Sequence, residues 1–200
     1  VKIETSPVMR GAIGNPRLMR TTDAVEDAFG FVATNVLAFD DLYAGKLHAA
    51  LDRQHPRDLF DVKLLYENEG LTDDLFRAVL VYAACSSRPM HELLAPNEKG
   101  ISDEFAREFA GMTAEPIDLD ALLSARKRLI ADIQARIKGP AAEFLRTLQA
   151  GEPDFTLIGL PHAADLPAIK WKILNLKKLM AENPDKHRMQ SDELNSILRI

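Results

Sequence analysis

The chain divides at Asp40 into a short region of mixed pattern and a longer region in which helices follow one another. After Asp40, apolar stretches are separated by Gly, Pro and residues that can cap a helix. Capping side chains stand at Asp40 or Asp41, Thr72, Ser102, and Asp118 or Asp120. The pattern predicts helices over residues 40–52, 56–68, 72–84, 102–112, 118–137, 141–149, 166–181 and 192–198, with a linker over 151–161.

Before Asp40 the pattern favours extended structure. Residues 1–5 (VKIET) alternate and are rich in residues that prefer strands, and residues 31–38 form a second extended segment. Residues 10–23 contain Gly and Pro and are typical of a loop. We therefore expect a mainly α fold, in which a short β part over residues 1–39 precedes a helical bundle over residues 40–200.

Composition excludes several classes of protein. Hydrophobic residues make up 46% of the chain and charged residues 28%, which is typical of a globular protein. The single cysteine, Cys85, forms no internal disulfide, which favours a reducing compartment. No apolar run approaches the roughly 20 residues that span a bilayer, and the first residues lack a signal-peptide pattern. We expect a cytoplasmic protein without a membrane partner.

A charged corner interrupts the apolar pattern between Lys46 and Val62, in the stretch KLHAALDRQHPRDLFDV. Lys46 and Arg53 belong to one stripe of the first helix, and Asp58 and Asp61 share a face of the second. The connecting residues RQHP form a tight turn, with Pro at the start of the second helix. The spacing predicts that the two basic side chains approach the two carboxylates.

Two interpretations of this corner are open on the residue types. Ion-pair networks are common, so the corner is explained by a salt-bridged helical hairpin. The alternative is a polyphosphate site, because lysine supplies a compact charge and arginine a bidentate fork for phosphate oxygens. In that case the carboxylates would orient the basic groups.

The stretch DDLYAGKLHAALDRQHPRDLFDVKLLYENEG resembles the lysine helix and following segment of the AbiEii/AbiGii toxin family of nucleotidyltransferases. Two shorter stretches, VKIE at the start and LPAIKWKILNLKKL near the end, fit as well. The resemblance implies a polymerase-β-like nucleotidyltransferase with a helical C-terminal half, so that residues 1–39 would be a remnant of its β lobe. It also implies transfer of a nucleotide from an NTP, with Mg²⁺, to an RNA such as tRNA or to a protein. A cognate antitoxin is the implied partner.

The resemblance assigns roles to the charged corner. Lys46, Asp58 and Asp61 are the implied catalytic residues, and Lys46, Arg53 and Arg57 are the implied nucleotide-binding residues. A helical protein-interaction domain, with structural ion pairs and no catalysis, is the alternative from a different class. Activity lost on substitution of Lys46 would distinguish the enzyme from the interaction domain.

The sequence departs from the family where the metal is held. The family pattern places a Gly-Ser turn and an Asp-x-Asp pair before the lysine helix, and no such pair precedes Lys46. The Asp118–Asp120 pair opens a long helix, where a capping role is the favoured interpretation. Glu4 is either a third metal-binding carboxylate or an exposed residue of an edge strand. We expect this chain to correspond to the C-terminal part of the enzyme and to be inactive alone.

Residues outside the corner carry weaker signals. His48 and Asp52 have helical spacing for a metal pair, but no third ligand is evident, and exposed histidines are favoured at His48 and His55. Trp171 lies among apolar residues and is predicted in the core. The last basic segment forms either a solvated helix face or a surface for RNA phosphates. Its basic residues are Lys170, Lys172, Lys177, Lys178, Lys186 and Arg188.

Overall fold

A computed structural model describes residues 11–198 of the 200-residue chain. Within this part, two short strands and a series of helices follow one another. The strands are β1 (Arg17–Arg20) and β2 (Ala33–Val36), and the helices are α1 (Asp23–Phe29), α2 (Phe39–Asp52), α3 (Pro56–Asn68), α4 (Asp73–Ala84), α5 (Met90–Leu94), α6 (Ser102–Glu108), α7 (Leu119–Arg136), α8 (Pro140–Gln149), α9 (Pro167–Glu182) and α10 (Pro184–Ile197). Short 3-10 helices cover Phe155–Ile158 and Pro161–Asp165. The predicted mainly α class is confirmed.

β1 and β2 form a two-stranded antiparallel sheet, with Arg17 opposite Val36 and Arg20 opposite Ala33. β2 lies inside the extended segment predicted from the sequence. β1 contradicts the loop predicted over residues 10–23, because its strand conformation comes from pairing with β2 rather than from an alternating pattern of its own. The predicted strand over residues 1–5 lies outside the described residues.

α2 lies at the centre of the bundle, where it contacts α3, α4, α5 and α7. Its core side is formed by Ala44, Leu47, Ala50 and Leu51, which are almost completely buried. α4 is buried along most of its length, which is expected of a helix that is apolar on all faces. Because α2 is packed by four helices, the charged stripe on its remaining face has a fixed position.

Hydrogen bonds to Asp41 connect the segment before the sheet with the helical bundle. The residue is 2% exposed. Its carboxylate accepts hydrogen bonds from the Ile13 and Gly14 backbone N–H groups, at 2.8 and 2.7 Å, and from the Tyr82 hydroxyl at 2.9 Å. A Cβ at Gly14 would lie 2.7 Å from that of Ala38, so this approach requires glycine. The predicted capping role of Asp40 or Asp41 is therefore wrong, since the N-cap is Ala38 and Asp41 binds a distant backbone.

Several helix boundaries agree with the capping and proline residues in the sequence. α3 begins at Pro56, as predicted, and the Thr72 hydroxyl caps α4 by accepting from the Leu75 N–H at 3.1 Å. Asp118 occupies the N-cap position of α7, although its side chain makes no capping hydrogen bond. α6 ends at Glu108 rather than at residue 112, because the chain turns there and Gly111 adopts a left-handed φ of 80°.

The C-terminal part contains more helix than the sequence predicts. The final helix begins at Pro184 rather than at residue 192, and the Asn183 side chain caps it by accepting from the Lys186 N–H at 3.0 Å. The predicted linker contains the first 3-10 helix, where Phe155 packs against Phe144 with ring centroids 5.0 Å apart, and the second 3-10 helix begins at its last residue, Pro161. α5 was not predicted, since its five residues are too few to show a helical period.

Large apolar side chains remain exposed on the sheet side of the molecule. Phe29 is 84% exposed and Leu18 is 73% exposed, and both belong to the segment before α2. This segment therefore contributes little to the common core within the described residues. No described helix combines the length and the apolar character that crossing a membrane requires.

Asp41→Ala is expected to lower the free energy of unfolding by about 3 kcal/mol, because it leaves one buried and two partly buried donors without their acceptor. Urea denaturation followed by circular dichroism measures this change. Tyr82→Phe removes one of the three donors and is expected to cost about 1 kcal/mol. Unchanged stability of Asp41→Ala would show that this carboxylate does not hold the segment before the sheet.

Candidate functional site

The charged corner forms two ion pairs between α2 and α3. Lys46 Nζ donates to Asp61 Oδ2 at 2.6 Å. Arg53 binds Asp58 in a bidentate manner, with Nε donating to Oδ2 at 2.6 Å and Nη2 donating to Oδ1 at 2.7 Å. The predicted pairing of the two stripes is confirmed. The catalytic and nucleotide-binding roles of these residues stay predictions.

The two pairs differ in their exposure to solvent. The Asp58 side chain is 8% exposed, whereas its partner Arg53 is 66% exposed. Lys46 and Asp61 are both half-buried. The hydrogen bond to Asp58 raises the pKa of the Arg53 guanidinium above its ordinary value, so Arg53 carries its charge throughout the accessible pH range.

Both cations retain donors that no described residue engages. The Lys46 ammonium has three donors, and among the described residues only Asp61 accepts from it. Arg53 uses Nε and Nη2 for Asp58, which leaves Nη1 for another acceptor. Arg53, the C-cap residue of α2, follows Lys46 by seven residues, or roughly 10 Å along the helix axis. The face can therefore present two cationic groups to an elongated anion.

The turn between α2 and α3 fixes the angle at which the two stripes meet. Gln54 has a left-handed φ of 56°, which is uncommon for a residue other than glycine. His55 is the N-cap of α3, and its Nδ1 accepts from the Arg57 N–H at 3.2 Å. The chain thus reverses within a few residues, with Pro56 as the first helical residue.

Gln54 is held by residues that the sequence analysis did not identify. Its buried side chain donates to the Asn97 carbonyl at 2.8 Å and accepts from the Lys99 N–H at 3.1 Å. Arg126 of α7 donates to the same Gln54 oxygen at 3.0 Å and to Glu98 at 2.9 Å. The only sequence signal for this network was an arginine within the apolar pattern of α7.

Arg57 lies apart from the two ion pairs. It is exposed on α3 and approaches Glu108 of α6 at 3.8 Å, and His55 contacts the same carboxylate at 3.1 Å. Of the three predicted nucleotide-binding residues, the structure brings Lys46 and Arg53 to the paired face. Arg57 points its charge toward α6 instead.

The last basic segment is divided between exposed residues and one buried lysine. Lys172 is buried and donates to the Ser86 carbonyl at 2.8 Å and to the Arg88 carbonyl at 2.7 Å, so it does not belong to a solvated face. Burial lowers its pKa to about 8. The exposed residues form local pairs, such as Lys170 with Asp165 at 3.1 Å and Arg188 with Asp185 at 3.1 Å.

Two further sequence predictions are changed by the structure. Trp171 is 67% exposed rather than buried, because the core side of α9 is formed by Ile169 and Leu176. His48 and His55 are half-buried rather than exposed, and His55 caps α3. Cys85 packs partly buried against the core.

Residues 11–198 do not form a magnesium site of the implied kind. Within this range no group of three or more His, Cys, Asp or Glu side chains is placed to hold a metal ion. Asp58 and Asp61 are already bound by basic side chains. Asp118 stands at the N-cap of α7, and Glu4 lies outside the described residues.

Comparison with known proteins identifies a family that the chain matches. The family model described as "Nucleotidyl transferase AbiEii toxin, Type IV TA system" matches residues 1–173, which is most of the chain. The matched range contains the whole charged corner and ends within α9, so that α10 lies beyond it. No curated protein and no solved structure matches the chain.

Arg53→Met is expected to cost about 3 kcal/mol of unfolding free energy, because it leaves the buried Asp58 carboxylate without its partner. Asp58→Asn is expected to cost about 1 kcal/mol, since it leaves Arg53 in contact with water. The double variant Arg53→Met/Asp58→Leu should cost less than the sum of the single changes. Chemical denaturation measures all three, and equal costs of the two single variants would contradict the difference in burial.

The depressed pKa of Lys172 is expected to make stability depend on pH between about 8 and 10.5. In this window the unfolded chain binds the proton that the folded chain has released, so the unfolding free energy rises with pH. The rise due to this group is on the order of 3 kcal/mol. Denaturation of the wild-type protein and Lys172→Met at several pH values measures it, because the variant lacks this contribution. Parallel profiles would contradict the expectation.

Proposed function

Because the chain belongs to the AbiEii family of nucleotidyl transferase toxins, we propose that it transfers a nucleotide from an NTP to an acceptor and that the charged corner binds the triphosphate. The family is a type IV toxin–antitoxin family, which implies a cognate antitoxin. The observation that carries the proposal is the pair of cations, Lys46 on α2 and Arg53 at its C-cap, which both retain unused donors. Phosphate oxygens are the acceptors that such donors bind most strongly.

Lys46 is the proposed catalytic cation. As the bond to the leaving pyrophosphate breaks, negative charge builds on the triphosphate oxygens, and a positioned ammonium stabilises it. The bond to Asp61 holds Lys46 Nζ in place while two N–H groups remain for phosphate. Asp61 therefore acts as a positioning residue for Lys46.

Arg53 is the proposed second contact to the triphosphate. The two hydrogen bonds that Arg53 donates to Asp58 fix the plane of the guanidinium and direct Nη1 away from the pair. Asp58 thus positions Arg53, as Asp61 positions Lys46. Arg57 would contact the triphosphate only from the side of α6, where its guanidinium faces Glu108.

Mg²⁺ is the metal that the family resemblance implies, and the described residues do not provide its site. We therefore assign no step of the reaction to a metal ion at the corner. In the proposal the metal-binding carboxylates, with Glu4 as one candidate, lie outside residues 11–198, and residues 1–39 form part of the nucleotidyltransferase lobe. The helical domain over residues 40–200 then supplies the cations.

The acceptor is proposed to be an RNA, such as tRNA, or a protein in the cytoplasm. The exposed basic residues of α9 and α10 support an RNA acceptor, because they provide charges that phosphates attract. Most of these residues are also paired locally, as Lys178 is with Glu182 at 3.9 Å. RNA binding would therefore have to compete with these exposed pairs.

A helical interaction domain without catalysis is the second candidate function. The buried position of Asp58 favours it, because a carboxylate that only supports a helix corner would be placed in the same way. In this case the two ion pairs fix the α2–α3 corner and the partner binds elsewhere. Replacing both members of a pair by apolar residues would then be tolerated.

Lys46→Ala in the intact protein is expected to reduce nucleotide transfer by at least about 100-fold while the fold is retained. The measurement is transfer of label from α-labelled NTPs to cellular RNA and protein, with thermal midpoints recorded for every variant. Lys63→Ala is the matched control, because Lys63 forms an ion pair of the same 2.6 Å length with Glu67 on α3. Its activity is expected to equal that of the wild-type protein.

Two results would contradict the proposal. Full activity of a folded Lys46→Ala protein would exclude the catalytic role and favour the interaction domain. The 200-residue chain assayed alone is expected to transfer no label, because no Asp-x-Asp pair precedes Lys46. Transfer by this chain alone would show that its own residues complete the active site.

A further inference from the structure

The side of α9 that faces away from the bundle carries an exposed tryptophan. Trp171 is 67% exposed and Leu174 is 60% exposed, whereas Ile169 and Leu176 of the same helix are buried in the core. Trp171, Leu174 and Lys178 have the spacing that places side chains on one stripe of a helix. Tryptophans are enriched where proteins bind other molecules, because a large ring gains free energy when a partner covers it.

Exposed lysines flank this ring. Lys170 and Lys177 lie on the neighbouring stripe of α9, four residues before and three residues after Leu174. We call Lys170, Trp171, Leu174, Lys177 and Lys178 the outer face of α9. The face concentrates three positive charges in a chain whose net charge is -5. It can therefore attract an anionic partner that the chain as a whole would repel.

The lysines of the outer face are held only weakly by their neighbours. Lys170 pairs with Asp165 at 3.1 Å, and Lys178 pairs with Glu182 at 3.9 Å. The two carboxylate side chains are 87% and 67% exposed, so that water and salt screen both pairs. Among the described residues, no carboxylate pairs with Lys177. Phosphate groups can replace these carboxylates at little cost.

The mixture of one large ring with several lysines selects the kind of partner. A helix that lies on a membrane presents a continuous apolar side, but α9 has buried its apolar side in the bundle. Lysine is depleted from interfaces between proteins. Single-stranded nucleic acids, in contrast, stack their bases on aromatic rings while basic side chains bind their phosphates.

We propose that the outer face of α9 binds a single-stranded segment of the acceptor RNA. An unpaired base stacks on Trp171, and Lys170, Lys177 and Lys178 bind the adjacent phosphates. This inference rests on the proposed function, in which an RNA is one of the candidate acceptors, and it adds the site and the mode of binding. The site uses none of the residues of the charged corner.

Trp171 is the only tryptophan of the chain, so tryptophan fluorescence reports on this face alone. The chain is titrated with a single-stranded RNA oligonucleotide of mixed sequence, without NTP. Base stacking is expected to quench the fluorescence in a saturable manner. The logarithm of the binding constant should fall with the logarithm of the salt concentration with a slope of about -2, because each of the three lysines displaces about 0.7 counterion. Inorganic polyphosphate, which has no bases, is expected to bind without comparable quenching.

The affinities of variants are measured by the anisotropy of fluorescently labelled RNA. Trp171→Ala is expected to weaken binding by about 5-fold or more, and Trp171→Phe by less, because phenylalanine keeps a ring for stacking. Lys177→Gln is expected to make the salt slope shallower by about 0.7 and to leave the quenching at saturation unchanged. Lys127→Gln is the matched control, because Lys127 is an exposed lysine of α7 and its loss should change neither quantity.

The proposal is overturned if RNA leaves the fluorescence of Trp171 unchanged, if polyphosphate quenches it as strongly as RNA, or if Trp171→Ala binds RNA as tightly as the wild-type protein. It is also overturned if vesicles of anionic lipid shift the emission and RNA does not, because the face would then bind a membrane. These assays contain no NTP, so their failure leaves the proposed transfer reaction to the Lys46→Ala assay.

Discussion

The α2–α3 turn is the constraint on which the charged face depends. Gln54 holds a left-handed backbone conformation that costs free energy, and it persists because its side chain is bonded to the Asn97 and Lys99 backbone and to Arg126. These contacts fix the angle between two helices whose apolar sides are already packed. A different angle between α2 and α3 would separate Lys46 from Asp61 and break their hydrogen bond.

The two ion pairs across this turn differ in their burial. Asp58 is buried and needs its cation, whereas Arg53 reaches solvent and keeps a donor. Lys46 and Asp61 share an intermediate environment. An anion that approaches this face therefore meets basic groups held by carboxylates, and binding requires little further loss of side-chain entropy.

The C-terminal helices are tied to the same corner through a chain of contacts. Lys172 of α9 donates to two backbone carbonyls of the segment between α4 and α5. Arg88 of that segment forms an ion pair with Asp52 at 2.7 Å. Asp52 is the last residue of α2, next to Arg53. This connection makes α9 part of the support of the charged face, while its exposed side carries Trp171.

The sequence by itself determined the main helices and the pairing of the charged stripes, because helical period, capping and proline act over a few residues. It placed the start of α3 at Pro56 and predicted that Lys46 and Arg53 approach Asp58 or Asp61, whereas the structure decided which cation pairs with which carboxylate. Tertiary structure alone decided the roles of Asp41, Gln54 and Lys172, whose partners lie up to 86 positions away along the chain. Such contacts leave no periodic signal, because a buried polar residue looks like an ordinary surface residue until the fold supplies its partners.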